Sequence, residues 1–305
     1  MNDAFFTSTQ QALKNITGVY DMIWPITVAL WNLRCEVNGV FEEYPKVTES
    51  MLSNKFSVGS DIHGVNYKRA FKNTSWEEQK RNFAWMLLNN IFPIYEGWLE
   101  RMKLDFGNIN IKEFQYPHKI VNEINKLKNN RSIIMERAFY DIYSKRKYRN
   151  YNCINNWLYC FRFFKEMRNC YMHNGGYADG RLVNAYNDYL SHATCEKIDV
   201  KEVPMVFAPV EDKPIRVSLR GIVGFSFIII KIMVSVDAEL VCTLNAEREF
   251  IKRFKEKHKI IRTLKPDSDA AIRQVEHYVR QCGMPIPKNS NAVKTFLLNK
   301  KVISL

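Results

Sequence analysis

The sequence predicts a mainly α-helical bundle carrying one inserted β-hairpin, and three observations predict it. Apolar residues recur at helical spacing through most of the chain, most plainly at Phe83, Leu87, Ile91, Ile94, Trp98 and Met102. Strict alternation occurs in one place: Val203, Met205 and Phe207 precede a proline-bounded loop, and Ile215, Val217 and Leu219 follow it. Start and stop signals bound the long runs, with Ser75 and Glu78 as a capping box and Asn174-Gly175-Gly176 and Gly283 as stops.

Residues 1–74 give mixed signals. A helix is expected over 26–37, after Pro25, and Gly39, Pro45, Gly59 and Gly64 punctuate the residues beyond it, so this part reads as an irregular, partly helical elaboration. Residues 75–258 read as the bundle, with helices over 75–102 (kinked at Pro93), 120–148, 155–172 and 182–193. The hairpin falls at 198–220, Pro204 marking its first arm as an edge strand, and a helix resumes over 221–257, apolar on nearly all sides at first and charged after Glu247. Residues 259–305 form a basic helical extension: Pro266-Asp267-Ser268 starts a helix that ends at Cys282, and a weaker helix covers 292–298.

The composition narrows the function. The chain has 305 residues, 46% apolar, and 45 Lys and Arg against 32 Asp and Glu leave it at +13, a field that draws polyanions. Aromatics at 13% place that charge on a folded body rather than a disordered tail. The seven cysteines are scattered without a C-x-x-C pair and the first ten residues lack a secretory pattern, which fits a reducing, cytoplasmic setting. The apolar segment 222–236 is shorter than a membrane span requires and Lys231 interrupts it, so it is expected inside the protein, with no membrane partner.

Most catalytic signatures are missing: there is no glycine-rich phosphate loop, no nucleophile elbow and no H-E-x-x-H helix. The six histidines never fall at metal-ligand spacing, and neither metal nor cofactor is expected. One stretch stands apart, Glu166-Met167-Arg168-Asn169-Cys170-Tyr171-Met172-His173-Asn174-Gly175-Gly176. Trp157, Phe161, Phe164, Arg168 and Tyr171 share one helical stripe, which puts a guanidinium where its neighbours call for burial. Such a group needs a partner. Either a carboxylate such as Glu96 or Glu100 meets it inside the bundle, or the stripe lines a cleft or subunit seam to which an anion comes. His173, five positions on, is rotated about 140° from Arg168, whereas Asn169 and His173 share a face, so a complete site calls for a second copy.

Arg168, Asn169 and His173, ending an aromatic-rich helix ahead of Asn174-Gly175-Gly176, resemble the motif of the HEPN superfamily (higher eukaryotes and prokaryotes nucleotide-binding domain). The resemblance covers about a dozen residues, with only general agreement in the surrounding helices. It implies a HEPN-like helical bundle acting as a homodimeric, metal-independent endoribonuclease in a toxin or antiviral-defence role, with an antitoxin or activator protein as a further partner. Arg168 would hold the phosphate oxygens, Asn169 would orient His173 or bind substrate, and two copies of His173 would supply base and acid. The alternative within the family is a non-catalytic module that binds RNA or a partner protein. For the RNA path, Lys145, Arg146, Lys147 and Arg149 interleave with Tyr143, Tyr148 and Tyr151, a mixture suited to phosphates and bases, and equally to a solvated helix end; Asn174 adds a polar contact beside the motif. Basic residues from Lys252 to Lys265 would give a second positive strip.

Overall fold

The computed structural model describes residues 4–107, 109–266 and 268–304. In chain order they form α1 (Thr7–Glu43), α2 (Glu49–Phe56), a π-helical turn (Lys68–Asn73), α3 (Trp76–Phe106) and a short 3-10 turn (Ile111–Gln115). Next come α4 (Lys119–Lys128), the short α5 (Ile133–Met135) and α6 (Asp141–Ser144) joined by a π-helical turn, and α7 (Ile154–His173). The helices α8 (Gly180–His192), α9 (Leu219–Leu240), α10 (Leu244–Lys257), α11 (Ser268–Gln281) and α12 (Ser290–Asn299) follow. Two short strands, β1 (Arg262–Thr263) and β2 (Ile303–Ser304), pair in parallel. The chain is thus mainly helical, as its periodicity predicts.

Local signals set many of the helix starts. Ser75, Asp179, Ser218 and Thr243 each accept the backbone N–H of the third residue on, capping α3, α8, α9 and α10. Helix α11 begins at Ser268; Asp267, part of the expected start signal, lies outside the described residues. Helix α9 is the axis of the core, with Ile222, Phe225, Ile228, Ile229, Ile232, Met233 and Val236 all sealed from solvent. It has 22 residues, and its most apolar 18-residue stretch, at mean hydropathy 2.0, is long and apolar enough to cross a membrane, yet 67% of that stretch is buried inside the protein. Lys231 is neutralised within the fold by Asp199, at 3.0 Å, and lies over the Trp157 ring.

Residues 1–74 depart from expectation. Instead of an irregular stretch with a helix starting after Pro25, a 37-residue helix runs through Pro25. An interior proline costs about 3 kcal/mol, and the burial of Ala12, Ile16 and Ile23 against the bundle offsets it. The helix start is held from a distance. Asp237 of α9 accepts the amides of Phe5 (2.6 Å) and Phe6 (2.9 Å), doing for α1 what a local capping side chain does elsewhere. Around and beyond Ile23 the helix leaves the main core, exposing Met22, Trp24, Ile26, Val28 and Trp31, and its far end joins α2 in a satellite cluster of Val37, Phe41, Leu52, Tyr67 and Phe71.

Two expected helices are each broken once, and the breaks explain each other. The 120–148 helix parts after α4 and the 221–257 helix parts between α9 and α10, because Ser132 N–H donates to Cys242 O (2.8 Å) and Leu244 N–H to Asn130 O (2.8 Å). The Ser132 hydroxyl also reaches Glu247, at 2.7 Å.

The hairpin is absent. No backbone hydrogen bond links the two arms, 203–207 and 215–219; a turn closed by Lys213 N–H on Val210 O (3.0 Å) lies between them, and Ile215 N–H donates to Gly176 O (2.9 Å) and Ala178 N–H to Lys213 O (3.0 Å), so the second arm pairs with the chain leaving α7. The first arm lies across α9 at a glycine notch: a Cβ on Gly221 would come within 1.9 Å of Met205 O. Tyr189 fixes that arm by donating to Pro204 O, at 2.7 Å. The segment is a strap over the ends of α7 and α9.

Candidate active site

Helix α7 carries two stripes of opposite character. Trp157, Phe161 and Phe164 are buried, and Phe164 stacks on Phe225 of α9 with ring centroids 4.3 Å apart. At the outer end of this stripe Tyr171 stacks on Trp85 of α3, at 4.0 Å and 16°. Between them sits Arg168, half-buried, its Nε shielded from solvent and without a hydrogen-bond partner among the described residues. Neither expected carboxylate meets it: Glu100 pairs with Lys103 at 2.9 Å, and among the described residues Glu96 forms no ion pair. Of the two arrangements open from the sequence, the internal acid is not the one found.

The contacts Trp85–Tyr171 and Phe92–Phe161 run α3 and α7 antiparallel. On α3 the Asn89 Oδ1 is also buried without a hydrogen-bond partner among the described residues. Unsatisfied polar atoms of this kind cost about 1–3 kcal/mol each.

The opposite stripe is polar. Arg162, Glu166, Asn169 and His173 follow at spacings of four, three and four. The buried Glu166 holds the first three together, pairing with Arg162 at 2.8 Å and accepting from Asn169 Nδ2 at 3.2 Å. Asn169 is therefore turned toward Glu166 and makes no hydrogen bond to His173 among the described residues. His173 is exposed and makes no hydrogen bond among the described residues. Lys165 lies between the stripes and donates to Gln115. Burial, then the neighbouring Arg162, lowers its ammonium pKa, with Arg168 adding to that field and Glu96 and Glu166 opposing it.

The glycines end α7 as expected. Asn174 and Gly176 N–H both return to Cys170 O, at 2.9 and 3.2 Å, and Gly175 and Gly176 take positive φ of 62° and 84°. The Asn174 side chain is occupied with this turn, donating to Asp179 Oδ2 at 3.3 Å. Asp179 caps α8; burial works against its charge, but the Leu182 amide, with Cys170 and Asn174, holds its carboxyl below the usual range.

The expected RNA contacts before α7 lie at the other end of that helix. Twenty residues at 1.5 Å each separate the ends by about 30 Å, so Lys145, Arg146, Lys147, Tyr148 and Arg149 do not join Arg168, Asn169, His173 and Asn174 in one site. Lys145 pairs with Asp141 at 2.8 Å, Arg146 lies over the Tyr143 ring, Lys147 lies over Tyr148, and Arg149 donates to Lys147 O. Tyr143 is core and only Tyr148, at φ 71°, exposes much of its ring. In the other basic strip, Arg253 turns inward to Phe5 O at 2.6 Å and Glu249 at 2.7 Å.

Sequence reasoning passed over Trp85, Asn89, Lys165 and Glu166. Trp85 and Asn89 fall off the stripe that identifies α3, whereas Lys165 and Glu166 stand three and two positions before Arg168 and were within reach of a helical-wheel argument. Among the described residues no three His, Cys, Asp or Glu side chains gather into a metal-binding cluster. No family model, no curated protein and no solved structure matches this chain.

Proposed function

We propose that the chain is a metal-independent endoribonuclease of the HEPN type, with a HEPN-like helical bundle, working as a homodimer in a cytoplasmic toxin or antiviral-defence role. The observation that carries this reading is the half-buried Arg168, which forms no ion pair among the described residues, on the same helix end as the exposed His173. A guanidinium left without a counter-ion favours an incoming anion, and a phosphodiester supplies one in the forked geometry that arginine prefers. In the reaction, the RNA 2′-oxygen attacks the adjacent phosphorus, a base removes the 2′-hydroxyl proton, and an acid protonates the departing 5′-oxygen. The products are a 2′,3′-cyclic phosphate and a 5′-hydroxyl end. Arg168 offsets the charge of the pentacoordinate phosphorus, and His173 from each of two copies serves as base and acid.

Because Arg168 and His173 diverge around one helix, the mechanism depends on the second copy. The uncharged α1 run from Met22 to Leu33 supports self-association: Met22, Ile26 and Val28 are 49%, 45% and 60% exposed there, apolar surface of the kind that partners cover. The absence of a bond between Asn169 and His173 favours the second reading, a HEPN module that binds RNA or a regulatory protein without cutting it.

Incubating the protein with single-stranded RNA in EDTA separates the two. The nuclease reading expects cyclic-phosphate ends, with the rate falling about a hundredfold or more in Arg168→Ala and in His173→Ala. Variants that cut as fast as the parent would remove the site, and a strict monomer retaining full activity at micromolar concentration would remove the two-copy chemistry.

A further inference from the structure

A groove of about 560 Å³ opens between α1, the start of α3, the start of α9 and the strap. Its floor and walls are apolar, with Trp24, Phe207, Val217 and Val223 among them, and Lys80, Arg81 and Arg220 stand in its lining against a single acid, Glu77. The size suits a small organic ligand and the lining suits one that is flat and anionic. A second cleft, holding Lys147 and Tyr148, has three lysines but also Glu196, Asp199 and Glu202, so it offers a polyanion no net attraction. In the first groove each cation has one acid beside it, Glu77, Glu78 or Glu202, but only Glu77 lines the groove, and the three pairs are open to solvent, unlike the buried Lys231 of the second cleft.

Both walls of that groove are tied to the motif. Arg81 is one helical turn from Trp85, which stacks on Tyr171, itself one turn from Arg168. On the other side Val217 follows Ile215, which is hydrogen-bonded to Gly176 at the motif's end. The cations are available, because their present partners are surface pairs worth little: Lys80 to Glu77, Arg81 to Glu78 at 4.0 Å and Arg220 to Glu202. Trp24 is 41% exposed, leaving ring surface to stack on.

We propose that this groove is a base-binding subsite for single-stranded RNA, in which Trp24 stacks on an unpaired base and Lys80, Arg81 and Arg220 hold flanking phosphates beside Arg168. The inference rests on the RNA reading above but not on cleavage. Its consequence is that a strand enters the motif from the α3 side, and that duplex RNA, whose bases are not free to insert, binds less tightly.

The test uses the full chain and a fluorescent, single-stranded 2′-O-methyl oligonucleotide, which lacks the free nucleophile and stays intact. Trp24→Ala should weaken binding roughly tenfold or more and Trp24→Phe should restore most of it, since stacking on one ring carries that much. Lys80→Glu with Arg81→Glu should weaken binding and flatten its salt dependence. Lys201→Glu, in the second cleft, should leave it unchanged. Trp24→Ala binding within twofold of the parent, while melting at the same temperature, would overturn the subsite, as would a parent that does not bind the oligonucleotide at micromolar concentration. A parent that binds through Trp24 but never cuts RNA would remove the nuclease and keep the groove; one whose cleavage is indifferent to Trp24 would do the reverse. Loss of binding that only accompanies conversion of a dimer to a monomer, seen by sedimentation, would assign Trp24 to a subunit contact and overturn the proposal.

Discussion

Helix α9 and the middle of α1 have similar apolar character and opposite fates. Helix α9 includes Arg220, Lys231, Asp237 and Glu239 and still lies almost wholly inside the protein. Residues 22–33 of α1 contain no charge at all, yet Ile23 is their only buried side chain. Hydropathy states how much a segment gains from being covered, and the rest of the chain decides whether it is. In α9 the charges are absorbed by designated partners: Asp199 for Lys231, Lys128 and Tyr140 for Glu239, and two amides for Asp237. In α1 the neighbours cover only part of the helix, Trp31 packing on Trp76 and Leu30 and Leu33 on the satellite cluster, while Met22, Trp24, Ile26 and Val28 stay exposed.

The largest expected effect is in the buried helix. Ile229→Ala should cost about 4 kcal/mol in urea unfolding, the sum of lost transfer energy and a cavity the packed core cannot close. Gly221→Ala comes next, at about 2–3 kcal/mol, because its methyl group would sit 1.9 Å from Met205 O and push the strap away.

A pH experiment probes the tie between the two helices. Burial pushes the Asp237 carboxyl up to about 6, against the opposing pull of the Phe5 and Phe6 amides. Since the folded state then binds the proton more tightly than the unfolded one, this group's contribution is fully present below about pH 4 and is lost as pH rises to about 6. The shift corresponds to about 3 kcal/mol. The stability difference between parent and Asp237→Asn should show that slope and be flat above pH 7; a slope of opposite sign would mean that the amides outweigh burial.

The smallest effect belongs to α1. Val28→Asp should change the unfolding free energy by no more than about 0.5 kcal/mol while shifting the protein toward monomer in sedimentation. If it instead destabilises like Ile229→Ala, the α1 run is covered within the monomer and the contrast between the helices fails.

What the sequence makes legible is local. Ser75 starts α3, Gly175 and Gly176 stop α7, and Gly283 follows α11, each within a residue or two of expectation, because caps act on their own turn. The failures are all non-local. Pro25 reads as a start signal until packing around Ile16 and Ile23 carries the helix through it. The alternation at 203–219 reads as a hairpin because nothing in those residues reveals that Ile215 bonds to Gly176. The breaks at 129–132 and 241–243 form only when each finds the other. At the site, the position of Arg168 on an aromatic stripe and its divergence from His173 are visible from spacing alone. That Tyr171 stacks on Trp85 depends on how α7 and α3 meet.

The attachment of Phe5 and Phe6 makes the first turn of the chain a latch. Arg253 grips Phe5 O while Asp237 grips the two amides, and both rings are seated in the core. A cut between Phe6 and Thr7 would part a wholly enclosed carboxylate from the two amides it holds and loosen two aromatic sockets at once, so proteolysis at that one bond would be read out as unfolding of the whole bundle.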